Sequence, residues 1–437
     1  MNRNRTLMLR SLALAVLFSL SGLHDIKAGA GDLDPQFGNG GKVTTDFGND
    51  DYGFAVALQS DGKIVTAGQS GIYPLFHSAL TRYNKNGSLD QTFGSGGKVI
   101  VELDAGGDQL VAIALQPDGK IVAAGSLIQN NGQTAFLVAR FNPDGSLDQT
   151  FGSGGSTATT FNDPSTAAND LALQPDGKII LVGVSGAGFY SELNDFALAR
   201  YNADGSLDQS FGNGGKFKTH FPGVFNTGST AGAVVLQADG KLVVAGSYKN
   251  EGTPHEFALA RYNVDGSLDA TFGSGGKLTT KAGIGDAFAS AVTLQRDGRI
   301  VLAGYSEDTQ DHDFALACYS TSGTLDQSFG NGGLVATDFS GSTDDIAYAL
   351  AVQRDGKLIV GGRTGEYPAF VFGLARYGSN GQLDQSFGSG GKVATDFGNN
   401  DQAYAVALQR NGKIVLAGLS FANGSNYDFA LARYLGR

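Results

Sequence analysis

The chain has 437 residues, of which 31 are lysine or arginine and 42 are aspartate or glutamate, so its formal net charge is −11 at neutral pH. An acidic surface of this kind argues against a nucleic-acid partner and is repelled by anionic lipid. The single cysteine, Cys318, excludes a disulfide framework, and the fold must therefore be stabilised by packing.

The first thirty residues have the pattern of a secretory signal peptide. Three arginines precede an apolar run at 11–23, and small residues follow at 28–30, where a signal peptidase would cleave. The apolar run is too short to span a bilayer, although an uncleaved anchor is the alternative. We therefore expect a signal peptide at 1–30 and export to the periplasm or beyond the cell. A single mature domain at 31–437, without a membrane span, would keep 27 basic and 41 acidic residues, a net charge of −14.

A motif of the form Leu-Asp-x-x-Phe-Gly-x-Gly-Gly organises the rest of the chain, because it occurs seven times. Its phenylalanines are separated by 56 to 61 residues and lie at Phe37, Phe93, Phe151, Phe211, Phe272, Phe329 and Phe387. Self-similarity at such a period indicates an array in which each copy is one supersecondary unit.

Each period also contains four short apolar segments. In order, they are a run ending in Leu-Gln (55–59), a Lys-Ile-Val-like run ending in glycine (120–125), Phe-Ala-Leu-Ala-Arg-Tyr (196–201) and a Lys-Val-Thr-Thr run (42–47). An Asx-Gly pair joins the first two segments. Such a pair between apolar runs predicts a two-residue hairpin in which both turn residues have positive φ.

Four strands per period without a helical pattern predict an all-β fold, a seven-bladed β-propeller of four-stranded blades. An open β-solenoid, the alternative, would need shorter rungs and capped ends. The chain begins with a fourth strand at 42–47 and ends with three strands at 404–434, so we predict that these complete one blade and close the ring. The alanine-rich run is placed nearest the axis and the Lys-Val-Thr-Thr run outermost.

On these residues the chain resembles the bacterial delta-60 repeat family, whose copies carry Asp-Gly-Ser-Leu-Asp-x-x-Phe-Gly, here at 144–152. The resemblance extends from about Leu33 to the C terminus. It implies a secreted β-propeller whose function is uncharacterised. The Asp-Gly turn, the glycine-ended second strand and the third strand also resemble a kelch blade, by pattern only.

The acidic residues of the repeated motif are predicted to be structural. The loop around Asp144 and Asp148 has the oxygen-rich composition of a short calcium loop, but other copies replace the first acid by asparagine or serine, which an Asx or Ser turn explains. The second acid should accept backbone N–H groups. We expect the arginines of the third strand to pair with these carboxylates between blades.

Cysteine and histidine are the two residue types that could supply a nucleophile or a metal ligand. In the fifth blade Cys318 replaces the third-strand arginine, so the pairing is either dispensable there or never needed, and both alternatives stay open. We interpret Cys318 as a buried, inert thiol. The histidines of the mature chain share no spacing and are interpreted as solvated loop residues rather than a metal site: His77, His220, His255 and His312.

The two ends of the predicted barrel differ in how much their loops vary. The Asp-Gly turns and the motif lie at one end and are nearly constant, whereas the second-to-third and blade-to-blade links lie at the other end and vary. Varied loops on a rigid scaffold can build an asymmetric site. We call these ends the constant end and the variable end, and we place a ligand site at the variable end.

Two sets of side chains are the candidate ligand-binding residues at the variable end. Carboxylates at the start of the inner strands should surround the mouth of the central channel: Asp51, Asp108, Asp286, Asp345 and Asp401. The loops between the second and third strands contribute Tyr73, Tyr190, Tyr248, Tyr305, Tyr367 and Tyr427. Rings and acids together suit a sugar or a cation. The alternative is that the acids form turns and the rings pack between loops.

We therefore expect a monomeric, secreted binding or surface-interaction module for an extracellular carbohydrate or protein, with no catalytic residues. No cofactor is expected, and calcium is the one ion that the acids could hold. The alternative is a carbohydrate-active hydrolase or lyase that uses two of the channel-mouth carboxylates, since acid–base chemistry on sugars needs a carboxyl pair at a defined separation.

Overall fold

The computed structural model describes residues 29–437 apart from 74, 130, 188–193, 223–226, 309–310, 342 and 422–423. The predicted signal peptide therefore lies outside the described residues, except for its last two positions. Among the described residues, no helix is long and apolar enough to cross a membrane.

The described residues form seven four-stranded antiparallel sheets, which confirms the predicted seven-bladed propeller. The inner strands are β2 (Asp50–Leu58), β6 (Asp108–Leu115), β10 (Ser165–Leu173), β14 (Gly228–Leu236), β18 (Ala287–Leu294), β22 (Ile346–Val352) and β26 (Gln402–Leu408). The second strands are β3 (Ile64–Ile72), β7 (Ile121–Ile128), β11 (Ile179–Gly186), β15 (Leu242–Lys249), β19 (Ile300–Glu307), β23 (Leu358–Thr364) and β27 (Ile414–Ser420).

The third strands carry the Phe-Ala-Leu-Ala-Arg-Tyr segments, and the outer strands follow the motif. The third strands are β4 (Leu75–Tyr83), β8 (Thr134–Phe141), β12 (Asn194–Tyr201), β16 (Glu256–Tyr262), β20 (His312–Tyr319), β24 (Val371–Tyr377) and β28 (Asp428–Tyr434). The outer strands are β5 (Lys98–Val101), β9 (Ser156–Thr159), β13 (Lys216–Thr219), β17 (Lys277–Thr280), β21 (Leu334–Thr337), β25 (Lys392–Thr395) and β1 (Lys42–Thr45). Blade one is β2–β5, and blade seven is β26–β28 with β1.

The N-terminal strand closes the ring, as predicted. Strand β1 pairs antiparallel with β28, with Lys42 opposite Ala432 and Thr45 opposite Phe429. An ion pair reinforces this closure, because Asp34 Oδ2 accepts hydrogen bonds from Arg433 Nε and Lys413 Nζ, both at 2.7 Å. The joined ends leave blade seven with the same four strands as the other blades.

The inner strands face the axis, because each contacts the inner strands of its two neighbours. All seven contain a β-bulge, such as the register shift between Ala403 and Ala405 in β26. The bulge explains the glycine in the second strand opposite it. A Cβ at Gly418 would lie 1.8 Å from the carbonyl oxygen of Gln402. The glycine-ended second strand is thus required by the kinked inner strand.

The Asx-Gly hairpins differ from the prediction. At the first hairpin only Gly62 has positive φ, at 87°, whereas Asp61 does not. The Gly62 N–H donates to the Gln59 carbonyl at 2.9 Å, and Asp61 Oδ1 accepts from the Lys63 N–H at 3.0 Å. These bonds define a type I turn followed by a left-handed glycine. The prediction of a two-residue turn with two positive φ angles was wrong.

The motif phenylalanines form the contact between neighbouring blades. All seven are fully buried, and Phe211 of blade three packs against Gly266 of blade four, where a Cβ would lie 2.8 Å from the ring. The guanidinium carbon of Arg200 lies 4.6 Å from the centre of the Phe211 ring. The arginine also donates to the carbonyl of Val264 in blade four.

The motif aspartates accept the predicted backbone hydrogen bonds, but the arginine pairs lie within one blade. Asp208 Oδ1 accepts from the Ser210 N–H at 3.0 Å. Asp208 Oδ2 accepts from Arg200 Nε at 2.7 Å and from Lys178 Nζ at 2.8 Å, and all three residues belong to blade three. The expectation of an ion pair between blades was therefore wrong, because the guanidinium reaches the next blade only through a backbone carbonyl.

Candidate functional site

The seven bulge residues line a cavity in the central channel. The bulge places an extra residue in each inner strand and turns its side chain toward the axis. The cavity measures about 390 Å³, and its lining contains the bulge residues of all seven blades: Phe54, Val111, Asn169, Gly232, Ser290, Tyr348 and Tyr404. Because these residues differ from blade to blade, the channel wall is asymmetric even though the scaffold repeats.

One half of this wall is aromatic. The rings of Phe54, Tyr404 and Tyr348 come from the adjacent blades one, seven and six; the centroid separations are 5.3 Å between Phe54 and Tyr404 and 4.8 Å between Tyr348 and Tyr404. Blade five adds Phe288 and Tyr305, whose rings stack at 5.1 Å. All five residues line the cavity. We call these five residues the aromatic wall.

The opposite half consists of small or polar residues, among them Thr230, Gly232, Ser247 and Ser290. Asn169 is held against this side, because its Nδ2 donates to the carbonyl of Ala231 at 2.8 Å. Small side chains leave space beside the aromatic wall, and the hydroxyl and amide groups provide hydrogen-bonding partners. The cavity can therefore accept a ligand with one apolar face and one polar face.

A hydrogen-bonded chain borders the aromatic wall at the variable end. Gln402 Oε1 accepts from the Tyr404 hydroxyl at 2.9 Å and lies 3.3 Å from Arg363 Nη1. The guanidinium of Arg363 lies 4.0 Å from the centre of the Phe370 ring. Burial raises the pKa of the Tyr404 hydroxyl above its usual value, so this group is a neutral donor at physiological pH. The chain holds the Tyr404 ring in a fixed orientation.

The predicted tyrosines lie in several different environments. Tyr305 belongs to the aromatic wall, and Tyr427 packs against Tyr52 with ring centroids 5.3 Å apart. Tyr73 and Tyr367 are 83% and 79% exposed, beyond the channel. Tyr248 is buried and donates its hydroxyl to the carbonyl of Pro222 at 2.7 Å, so it packs between loops. Tyr190 lies outside the described residues.

The predicted channel-mouth carboxylates do not gather around the channel. Four of them are buried, and each accepts backbone N–H groups at its own blade junction: Asp51, Asp108, Asp345 and Asp401. Asp51 Oδ2, for example, accepts from the Phe47 N–H at 2.6 Å. None of the four is among the residues that line the channel cavity, and their backbone hydrogen bonds fit the alternative in which the acids form turns.

Burial affects the acid–base state of these four groups. It raises the pKa of Asp51 and of Asp401 to about 6, and it also raises the pKa of Asp108 and Asp345. The fifth acid, Asp286, behaves differently. Burial opposes its ionisation, but hydrogen bonds from the His255 N–H and ring outweigh that effect and lower the pKa of Asp286.

Each histidine of the described chain lies beside a carboxylate at the variable end. The Nδ1 atom of His312 is 2.7 Å from Asp344 Oδ1, and that of His220 is 3.0 Å from Asp195 Oδ1. His312 begins β20 and His77 lies within β4, so these two are strand residues rather than the predicted loop residues. The four histidines lie in different blades, and each has its own carboxylate partner.

A larger groove of about 660 Å³ lies at the constant end, between blades seven and one. Its lining includes Gln59, Asp61, Gln409 and Asn411, which belong to the repeated Leu-Gln and Asx-Gly segments. Equivalent residues recur in the other blades, so the lining of this groove is less specific to one place in the ring than the lining of the channel cavity. The cavity lined by the bulge residues is therefore the more distinctive candidate site.

The bulge residues were missed in the sequence although a signal is present. Each lies five residues before the glutamine of its Leu-Gln or Val-Gln pair, in a run that otherwise repeats small apolar residues. That position holds Phe, Val, Asn, Gly, Ser, Tyr and Tyr in the seven copies. A variable position next to a run of repeated small apolar residues indicates a residue whose side chain is free of the repeated packing.

Seven segments of the chain match the protein family described as "Domain of unknown function (DUF5122) beta-propeller": residues 59–93, 116–151, 174–211, 237–272, 295–329, 353–387 and 409–436. Together they cover more than half of the sequence, and each of the first six ends at a motif phenylalanine. The match confirms a β-propeller repeat family, whereas the delta-60 name stays a prediction. No curated protein matches the sequence.

Solved structures similar to this chain share little sequence identity with it. An ulvan lyase of polysaccharide lyase family PL25, bound to -[GlcA(1-4)Rha3S]-, is 12% identical with a TM-score of 0.52, covering 91% of this chain and 96% of that chain. A catalytically inactive virginiamycin B lyase from Staphylococcus aureus is 12% identical, with a TM-score of 0.47 and coverage of 90% and 98%. A protein of unknown function from Dyadobacter fermentans is 11% identical, with a TM-score of 0.47 and coverage of 92% and 100%. At this identity the first similarity concerns the fold alone.

Proposed function

Since this chain belongs to the DUF5122 β-propeller family, whose description names a fold and no activity, we propose that it is a binding scaffold for a short, neutral carbohydrate held in the central channel. The observation that carries the proposal is the asymmetric cavity of about 390 Å³, with aromatic rings on one side and small polar residues on the other. Cavities with apolar walls and a few placed polar groups are typical ligand sites.

The chemistry of the wall fits a sugar ring. The C–H face of a pyranose packs on an aromatic ring, and Phe54, Tyr348 and Tyr404 present three rings from adjacent blades. The sugar hydroxyls then face Asn169 and Ser290, which offer neutral donors and acceptors. No charged side chain lines the described part of this cavity, so a neutral ligand fits better than an anionic one.

The same lining favours binding over catalysis. Cleavage of a glycosidic bond by hydrolysis uses two carboxyl groups that flank it, and elimination needs a base within hydrogen-bond reach. Neither a carboxylate nor a histidine is present among the described residues that line the cavity. The buried acids at the start of the inner strands are engaged by backbone N–H groups. The hydrolase alternative therefore has no carboxyl pair at this site, and a lyase would have to use one of the lining tyrosines as its base.

Export is part of the proposal, because polymeric and oligomeric sugars are encountered mainly outside the cytoplasm. The support is the signal-peptide pattern of the first thirty residues. A monomer suffices for this role, since one chain encloses the whole channel. We propose no cofactor for sugar binding itself.

Calorimetric titration of the purified protein with a panel of neutral oligosaccharides tests this function. We expect binding by at least one oligosaccharide and at least tenfold weaker binding by Tyr404→Ala and Tyr348→Ala, because each removes a stacking surface. Tyr73→Ala is the matched control, since Tyr73 is exposed outside the cavity. Absence of binding by the whole panel, or equal loss in the control, would contradict the proposal. New sugar ends released from the oligosaccharide would instead support the enzyme alternative.

A further inference from the structure

Three positions meet at each blade junction at the variable end. They are a residue near the start of the third strand, the residue following the outer strand, and the residue at the start of the next inner strand. Between blades five and six all three are aspartates: Asp313, Asp338 and Asp345. A carboxylate oxygen from each lies within 4.8 Å of those from the other two. We call this group the five–six cluster.

Asp313 provides an independent sign that a partner is missing from this cluster. The residue is only 9% exposed, and its Oδ1 atom is buried without a hydrogen-bond partner among the described residues. The other two members are better satisfied. Asp345 Oδ2 accepts from the Phe339 N–H at 2.7 Å, and Asp338 Oδ1 accepts from the Ser340 N–H at 2.8 Å. A buried carboxylate facing two further carboxylates requires a proton or a cation.

The nearby basic groups are occupied elsewhere. Lys392 Nζ donates to the carbonyl oxygens of Asp338 and Phe339, at 2.8 and 3.1 Å. The His312 ring lies against Asp344, which is not a member of the cluster. Within the described chain, no salt bridge to a lysine, arginine or histidine is formed by the carboxylates of the five–six cluster. Their combined charge is therefore not neutralised by a basic side chain of the described chain.

The residues at these three positions differ between the junctions. Between blades six and seven Val371 takes the place of Asp313, which leaves two acids, Asp396 and Asp401. Between blades three and four His220 lies 3.0 Å from Asp195. The repeat-equivalent cluster of Asp46, Asp51 and Asp428 also has three acids. There Asn426 Nδ2 lies 3.4 Å from Asp46 Oδ1 and supplies an amide donor, although the buried Asp51 Oδ1 has no hydrogen-bond partner among the described residues.

We propose that the five–six cluster is a calcium site formed by Asp313, Asp338 and Asp345. Calcium is a hard cation that takes oxygen ligands in flexible geometries, and three carboxylates with added water match that preference. The absence of nitrogen and sulfur ligands from the cluster disfavours zinc and copper. Bound calcium connects β20 of blade five to the start of β22 in blade six, so it braces one junction of the ring independently of the channel.

Calorimetry with calcium chloride on the chelator-treated protein tests this site, with magnesium chloride as the comparison. We expect calcium binding with a dissociation constant of roughly 10⁻³ M or tighter, within the range known for extracellular calcium modules. Asp313→Asn and the more exposed Asp338→Asn should each remove one binding equivalent or weaken it at least tenfold. Asp396→Asn is the matched control, because it occupies the same repeat position at a junction with only two acids, and it should bind like the wild type.

The readout also includes thermal unfolding, since an ion that binds only the folded state raises the midpoint. Calcium should raise the unfolding midpoint of the wild type and of Asp396→Asn. It should raise the midpoint of Asp338→Asn by less. A wild type without calcium heat or midpoint shift at millimolar calcium overturns the proposal. Unchanged stoichiometry and affinity in both Asp313→Asn and Asp338→Asn also overturn it. Loss of a binding equivalent in Asp338→Asn supports it, even where Asp313→Asn does not fold.

Discussion

Arg299 Nη1 lies 2.8 Å from Asp326 Oδ2 in blade five, at the place where the other six blades have a lysine. In those blades the motif aspartate forms ion pairs with this lysine and with the third-strand arginine, as Asp384 does with Lys357 and Arg376. Blade five has Cys318 in place of the arginine. One guanidinium therefore replaces two separate cations, and the charge on the motif aspartate stays paired.

This relationship bears on the two alternatives that the sequence left open for Cys318. Blade five lacks the pair with a third-strand arginine, but its motif aspartate is still paired with a guanidinium, that of Arg299 immediately before β19. Hydrogen bonds from Ser328 and Arg299 lower the pKa of Asp326 to about 2. The thiol behaves as predicted, because Cys318 is fully buried and burial raises its pKa to about 12.

We predict that Arg299→Ala destabilises the protein more than Lys357→Ala. The first change leaves Asp326 without a cation among the described residues, which should cost about 1–3 kcal/mol of unfolding free energy. The second leaves Asp384 paired with Arg376 and should cost less than about 1 kcal/mol. Urea unfolding measures both. Arg299→Lys is the conservative control and should be close to the wild type. Equal losses of unfolding free energy in the two alanine variants would contradict the conclusion that Arg299 takes the place of both cations.

The architecture could be predicted from the sequence because it depends on a repeated pattern. Seven copies of the motif define seven blades, and the positions of the first and last strands define the closure that β1 and β28 make. The buried state of residues such as Phe211 follows from the same repetition. These features depend on the order of the segments along the chain and on their hydrophobicity, and both can be read from the amino-acid sequence.

The site could be predicted only in part, because it depends on where the strands bend. The direction of the Tyr404 side chain is set by the bulge between Ala403 and Ala405, and an alternating pattern does not reveal an extra unpaired residue. Asp51 was placed correctly at the start of an inner strand. Its carboxylate nevertheless turns toward the Phe47 N–H, because the conformation of the blade link decides which donors are near.

Deletion of residues 31–48 should lower the melting temperature sharply. The deletion removes β1, so the edge of β28 becomes exposed, and it also removes Asp34, which pairs with Arg433 and Lys413. Circular dichroism melts, with light scattering to detect edge-to-edge association, provide the measurement. The point variant Asp34→Asn keeps β1 and should show an intermediate effect. A deletion variant that melts like the full chain would contradict a closed ring.

Phe211→Ala should cost about 3–5 kcal/mol of unfolding free energy, as truncation of a core aromatic residue does. Phe211 is fully buried and packs on Gly266 of the next blade, so its loss opens a cavity at a blade junction. Phe272→Ala should cost a similar amount, because Gly323 lies against its ring in the same way. Urea unfolding tests the pair. A cost below about 1 kcal/mol at either position would show that the junction packing is not repeated.

Val371→Asp should create an additional calcium site. It restores the third aspartate at the junction of blades six and seven, where Asp396 and Asp401 already occupy the other two positions. Calorimetry should show one more binding equivalent than the wild type, and Val371→Asn should show none. If Val371→Asp folds and binds no additional calcium, the three junction positions are not sufficient for a site.

The pH dependence of stability gives a test of the five–six cluster that needs no metal. Burial and the neighbouring carboxylates of Asp308, Asp311, Asp338 and Asp345 raise the pKa of Asp313 to about 6, whereas an aspartate in an unfolded chain has a pKa of about 3.9. Between about pH 4 and pH 6 the folded protein therefore binds a proton that the unfolded chain has released. The contribution of Asp313 to the unfolding free energy is fully present below about pH 4, and it is lost as the pH rises through about 6.

Asp313→Asn cannot titrate at this position, so it should not lose that stability. In the presence of a chelator, its melting temperature relative to the wild type should increase between about pH 4.5 and pH 7. The motif aspartates, whose pKa values are lowered, act in the opposite direction at lower pH, but they are present in both proteins and cancel in the difference. Calcium at pH 7 should then reduce the advantage of the variant, because only the wild type gains the ion. Parallel pH profiles for the two proteins would mean that Asp313 titrates like a solvated aspartate and that its neighbours impose no charge for a cation to neutralise.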